Sequence, residues 1–332
     1  MKDSDFFFDE HLGQARRQEA TISAENLTSI TEFIFVGLSN HRKTQTMLFV
    51  VILLTYTLTL MGNLVVIMLV RFDSRLQAPM YYFLMHLSGL EICYVTSTEP
   101  QMLAHLLAGN GIISFTRCVA QIFVSLSLGV AECFLLGVMA YDRYLAICQP
   151  LLYPVVMDRW RQMHLASSCW ATGFVIGAIY VGCTFRHSYC GPNRINHFVC
   201  ELPVVLKLAC DDIHITQVIV SVIAGLVLLV PISVILTSYA VILFSVLQIR
   251  SATGWRKAFS TCTSHLVVVT VYYGTVISMY LIPRSTTFSD RDKQIAVFYV
   301  VVTPFLNPVI YTLRNKDVHE AVARVLRRSR FQ

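Results

Sequence analysis

Two glutamates, Glu91 and Glu132, stand inside long apolar runs of this 332-residue chain, where a carboxylate is costly unless paired or neutralised. Glu132 lies eleven residues before Arg143, which at about 1.5 Å of rise per residue is roughly 16 Å along a helix. Glu91 lies twelve residues after Pro79 and reaches a similar depth if Pro79 opens its own helix. Two acids at one level in neighbouring helices must share a proton, titrate abnormally or bind a cation. Ser88 and Asn307 could lend oxygens to a sodium ion there; the other reading is a pair of glutamic acids hydrogen-bonded to each other and to water. Asp142 and Arg143 form a further centre, an adjacent acid and base that can neutralise each other at a membrane boundary. No metal-ligand cluster, nucleophile–base pair or phosphate-binding loop stands out, so the sequence gives enzymatic activity no support.

The elements that must position these groups are transmembrane. Apolar residues make up 55% of the chain and charged residues 14%, too lopsided for a protein that has to cover its surface with polar groups. The net charge of +6 does not gather into a basic face or arm, so nucleic acid is not an expected partner and membrane lipid is. A helix needs about 20 apolar residues to cross the hydrocarbon core. Seven segments qualify, at 47–70, 79–105, 115–145, 164–184, 214–247, 257–282 and 292–313. The reading is an all-α seven-transmembrane bundle with three parts: an N-terminal tail over 1–45, the helical domain over 46–313 and a tail over 314–332. The first 45 residues are mostly polar and read as disordered, with no apolar core for a cleavable signal, so the run from Met47 is expected to act as a signal-anchor. Residues 316–328 place Val318, Val322, Val325 and Leu326 on one face and suit a short amphipathic helix along the membrane.

Orientation follows from the basic residues. Arg71, Arg75, Arg159, Arg161, Arg250, Arg256 and Lys257 share one side with the arginine-rich C-terminus, while Arg186, Arg194, Lys207, Arg284, Arg291 and Lys293 lie opposite. The excess places the C-terminus in the cytoplasm and the N-terminus outside, as for a multi-pass plasma-membrane protein. The glycosylation sequon at Asn26 falls on that outer side. Four cysteines also fall there, Cys118, Cys190, Cys200 and Cys210, in an oxidising setting where disulfides persist. Four cysteines allow three pairings, and spacing does not choose among them.

Strings of residues then narrow the class. Met139-Ala140-Tyr141-Asp142-Arg143-Tyr144-Leu145-Ala146-Ile147-Cys148 closes the third segment, and Gly62-Asn63 stands in the first. Pro79-Met80-Tyr81-Tyr82-Phe83-Leu84 opens the second, Ser238-Tyr239 lies towards the end of the fifth, and Lys257-Ala258-Phe259-Ser260-Thr261-Cys262 with His265 opens the sixth. Pro304-Phe305-Leu306-Asn307-Pro308-Val309-Ile310-Tyr311 fills the seventh. Together, from about residue 26 onward, they resemble the odorant receptors, a branch of the rhodopsin-like G-protein-coupled receptors; the stretch before Asn26 is longer than the family usually carries.

The resemblance implies a receptor for small volatile organic molecules that works through a stimulatory heterotrimeric G protein of the olfactory type and raises cAMP. It implies that Asp142 holds Arg143 at rest, and that on activation Arg143 moves towards Tyr239 and the G protein while His265, Asn307, Pro308 and Tyr311 rearrange. It implies the disulfides Cys118–Cys200 and Cys190–Cys210. It places the ligand among the outer halves of the third, fifth and sixth helices, against Ser125, Leu126, Gly129, Val130, Ile223, Val227, Tyr273, Val276 and Tyr280. That lining is apolar with one or two hydroxyls and no acidic anchor, which suits weakly polar ligands. The rhodopsin-like receptors hold sodium through an acid at the Glu91 position, and Glu132 adds a second; no other cofactor is expected. A receptor for another lipophilic ligand is the nearest alternative. A transporter would need paired interruptions in two halves of the chain, and none is evident.

Overall fold

A computed structural model describes residues 30–39, 41–190, 193–248, 252–280, 290–314, 318 and 320–324. Among the described residues, seven long helices form a bundle. They are α1 (Arg42–Phe72), α2 (Pro79–Ala108), α3 (Phe115–Cys148), α4 (Arg159–Phe185), α5 (His214–Leu247), α6 (Ala252–Tyr280) and an interrupted α7. α7 is α-helical over Asp290–Val297, forms a π turn at Phe298–Val302, and resumes as Thr303–Arg314. Six of the seven are long and apolar enough to cross a membrane. The exception is α2, whose apolar residues are interrupted by His86, Glu91, Glu99 and His105. Several helices outrun the apolar segments, α1 beginning at Arg42 and α4 at Arg159, because hydropathy marks the hydrocarbon crossing and not the polar turns beyond it.

Local sequence sets the ends. Pro79 opens α2, where its missing N–H costs nothing, and Gly109 closes it with a positive φ of 68°. Ser114 caps α3 by accepting from the Arg117 N–H, and Asp158 caps α4 by accepting from the Arg161 N–H at 2.9 Å. α3 is the central helix: 61% of its most apolar stretch is buried within the protein, against 22% for both α1 and α5. The exposed Leu54, Leu58, Met61 and Met68 of α1 face where lipid would be. Gly62 lies against Pro308, where an added Cβ would stand 3.0 Å from the proline's Cβ, so α1 and α7 approach closely.

The N-terminal tail is not wholly irregular. Glu32–Phe35 is a strand, β1, at the centre of a three-stranded sheet with β2 (Ile112–Ser114) antiparallel and β3 (Arg194–Ile195) parallel. Alternation explains it: Phe33 and Phe35 turn inward, Phe33 stacking on Phe115 and meeting Tyr189 edge-on, while Glu32 stays exposed. Expecting disorder up to residue 45 was therefore wrong from Ile30 onward, since the partners of this strand lie far away in sequence. Asn26 lies outside the described residues.

Disulfides join Cys118 to Cys200 and Cys190 to Cys210, with Cα–Cα distances of 5.6 and 5.8 Å. The first anchors the loop before α5 on the top of α3, where the Gln121 side chain also accepts from the Cys200 N–H at 2.8 Å. Beside the second, His187 meets Asp211 at 2.6 Å and Thr216 at 2.8 Å. That histidine contact holds the Asp211 carboxyl below its ordinary range. Closing an 82-residue loop is worth up to about 4 kcal/mol, less the restraint that inserted helices already impose. Cys118→Ser and Cys200→Ser should thus lose surface protein to the same extent, and the double variant should be no worse than either. Additive losses, measured by surface staining against total protein, would show that the two thiols act independently.

At the opposite end, the Arg324 guanidinium pairs with Asp73 at 2.8 Å and holds that carboxyl below its ordinary range. Val318 and Ala321 are buried, as one face of an amphipathic helix requires; Val325 and Leu326 lie outside the described residues.

Candidate functional site

Between the disulfide-bearing end and the middle of the bundle lies a cavity with room of about 120 Å³. Its α3 wall includes Ser125, Leu126, Gly129 and Val130, one helical face repeating at the i, i+4 interval and continued by Ile122 and Cys133. Val227 of α5 and Val276 of α6 complete that side, and loop residues 199–202 form the roof. Six of the nine lining positions expected from the sequence are therefore brought together.

The other three differ. Ile223 does not line the cavity; Val220 and Ala224 do. Tyr273 is turned away, its hydroxyl donating to the Cys133 carbonyl at 2.9 Å, and its neighbour Tyr272 lines the cavity instead. The Tyr272 hydroxyl donates to the Gly129 carbonyl at 2.7 Å, so the two tyrosines strap α6 to α3. The side chain of Tyr280 lies outside the described residues.

The expectation of a lining without acids is also corrected. Glu91 and Glu132 form the floor, and Glu201 joins the roof. Both floor residues are buried, and the Asn307 side-chain amide donates to Glu91 and reaches Glu132 at 3.5 Å. Ser88, one turn before Glu91, is buried as well. Three helices thus meet at one polar node, with α7 supplying the neutral bridge between two acids. The remaining wall, Tyr94 and Thr98 of α2 with Tyr299, Val300, Thr303 and Pro304 of α7, went unforeseen. A π turn shifts the register of α7, so a 3.6-residue pattern carried through it points to the wrong face.

Below the floor, the inner end of the bundle gathers the motif residues. Tyr239 and His265 share a hydrogen bond at 2.8 Å with stacked rings, and Tyr311 is buried nearby with its hydroxyl unpartnered among the described residues. Pro308 lies within α7, one residue after Asn307. The direct hold of Asp142 on Arg143 is not found: among the described residues no ion pair joins them. The buried Asp142 carboxylate instead accepts from the Tyr153 hydroxyl at 2.9 Å, in the short helical turn Tyr153–Val156. Neighbours on a helix point about 100° apart, so an adjacent acid and base need not meet.

A family model described as olfactory receptor matches residues 52–329. Olfactory receptor 11L1 of Homo sapiens is 48% identical over 304 residues, covering 92% of this chain and 94% of that protein. Olfactory receptor 5AP2 of Mus musculus is 46% identical, covering 92% of this chain and 96% of its own length. The matched region holds the cavity, the acidic floor and the inner-end cluster alike, and the chain belongs to the olfactory receptor family of G-protein-coupled receptors, odorant sensors that are not enzymes.

Proposed function

We propose that small, uncharged, volatile organic molecules enter the α3–α5–α6–α7 cavity and that the occupied bundle activates a stimulatory heterotrimeric G protein and raises cAMP. The observation that carries this reading is the continuity of α3 and α6. Both line the cavity, through Gly129 and Tyr272, and both reach the inner end, through Arg143 and His265. Helices strapped together at Tyr272 and Tyr273 transmit a displacement at the cavity to the Tyr239–His265 pair. The N-terminus would lie outside, glycosylated at Asn26, and the Arg143 end in the cytoplasm of a cell carrying the chain in its plasma membrane. A panel of volatiles applied to cells expressing the chain should include members that raise cAMP. A chain present at the surface that raises cAMP with none of a broad panel would overturn the reading.

The floor suits a sodium ion held by the Glu91 and Glu132 carboxylates, with the Ser88 hydroxyl and the Asn307 carbonyl as further donors. The Asn307 amide now turns its NH₂ towards both acids, and exchanging its ends would present oxygen instead. An ion there would brace α2, α3 and α7 in the resting packing. The purified receptor should then melt a few degrees higher in sodium chloride than in choline chloride of equal ionic strength. The difference should vanish in both Glu91→Gln and Glu132→Gln, and equal melting of the wild type in the two salts would leave a protonated acid pair as the floor.

A further inference from the structure

We propose that the cavity recognises a neutral carbonyl compound of about six heavy atoms through two hydroxyl groups on α7, those of Tyr299 and Thr303. This deepens the odorant-binding reading above and rests on it.

Three observations converge. First, Tyr299 and Thr303 both line the cavity, and their hydroxyl oxygens are buried without a hydrogen-bond partner among the described residues. A buried hydroxyl left unsatisfied is disfavoured, which points to a ligand group or a water that completes it. Three other hydroxyls of the lining contrast with them: Ser125 donates to the Gln121 carbonyl, Thr98 to the Tyr94 carbonyl, and Tyr272 to the Gly129 carbonyl. Second, the π turn puts them there. The Thr303 N–H bonds back to the Phe298 carbonyl, five residues earlier, and the widened turn brings Tyr299, Val300 and Thr303 onto one wall. Third, the rest of the lining sets charge and size. Glu91, Glu132 and Glu201 border the cavity, so an anion is repelled. Two hydroxyls can both donate to one carbonyl oxygen, which has two lone pairs, and a neutral ligand gives up less hydration than an ammonium on entering a mostly apolar cavity. An engineered apolar cavity of about 150 Å³ holds one benzene ring, so room of about 120 Å³ takes a molecule of similar size. Apolar contact with Leu126, Val227 and Val276 covers the remainder.

The test uses 2-pentanone, pentanal, pentane, pentylamine and pentanoate, probes that share a five-carbon skeleton. It reads both the cellular response and the melting shift of purified protein. In the wild type the two carbonyl compounds should act at concentrations at least about tenfold below the others, the discrimination that one or two hydrogen bonds supply. Tyr299→Phe and Thr303→Val change little shape, and each should raise the carbonyl concentration required by about tenfold while leaving pentane where it was. Thr303→Ser, which keeps the hydroxyl, should retain the preference. Surface staining separates a folding loss from a binding loss, and the melting shift gives the same ranking without the cell. If carbonyl probes rank no better than pentane, or if their advantage survives in both hydroxyl-deleted variants, the inference is wrong while the receptor reading stands. If no probe and no member of a broad volatile panel acts on the wild type, the receptor reading itself fails.

Discussion

Gly173→Ala should all but remove the receptor from the cell surface, because α4 has no room for a methyl group where it crosses α3. A Cβ at this position would collide with the backbone carbonyl of Ser127 and stand 3.0 Å from the Ala131 Cβ and 3.1 Å from its nitrogen. Backbone cannot rotate aside, so the helices must separate, at a cost of about 3 kcal/mol or more. That is a large share of the stability of a typical protein. Gly177 one turn later differs in a useful way. Its added Cβ would collide with the Ser127 hydroxyl, which Ser127→Ala removes, leaving closest the residue-127 Cβ at 3.1 Å and the Phe123 carbonyl at 3.3 Å. Gly177→Ala should therefore reduce surface protein, and adding Ser127→Ala should recover most of it, whereas the same second change should do nothing for Gly173→Ala. Surface staining against total protein measures all four variants. Recovery of Gly173→Ala by Ser127→Ala would show that the seam yields more readily than its geometry states.

Arg143→Ala should abolish ligand-driven cAMP while leaving surface protein near the wild-type amount. Arg143 is only half buried at the inner end of α3 and makes no ion pair among the described residues, so its removal orphans no buried partner. What it would remove is the cation proposed above to signal at the cytoplasmic end. Asp142 acts in the opposite sense. Its carboxylate is satisfied by Tyr153, which ties the short turn Tyr153–Val156 to α3. Tyr153→Phe should then raise basal cAMP, as Asp142→Asn should, because either change loosens that turn. The two together should do no more than one alone, the mark of a shared interaction. A normal response from Arg143→Ala at normal surface density would exclude this mechanism.

Much of the bundle is readable from composition, yet each element betrays itself differently. α1 and α5 announce themselves by length and apolarity, while α2, interrupted by Glu91 and Glu99, is recognisable by its Pro79–Leu84 string rather than by hydropathy. The α3 wall of the cavity follows from helical spacing measured from Cys118. On α5 the lining residue is Ala224 and not Ile223, because a helix apolar on every side offers no periodicity to choose its inner face. Tyr272 and Tyr273 are alike in type, and only the carbonyls they meet on α3 decide which lines the cavity. The α7 wall needed knowledge of a π turn, which no residue in Phe298–Val302 signals. Asp142 accepts from Tyr153, eleven residues on, and adjacency to Arg143 in the sequence carries no sign of that partner.

The sheet of β1, β2 and β3 also constrains the order in which the protein can be made. β1 leaves the ribosome before any helix, but Asn193, whose side chain donates to the Glu32 carbonyl, follows it by 161 positions. At roughly 5–20 residues per second, the strand waits some 8–30 s for its parallel partner. Phe115 and β2 appear partway through that interval, but Tyr189 and β3 do not, so the burial of Phe33 and Phe35 stays incomplete. The sheet is thus completed only once the chain has passed Ile195, with α5, α6 and α7 still to follow, and two incompletely buried phenylalanines mark a nascent copy until then.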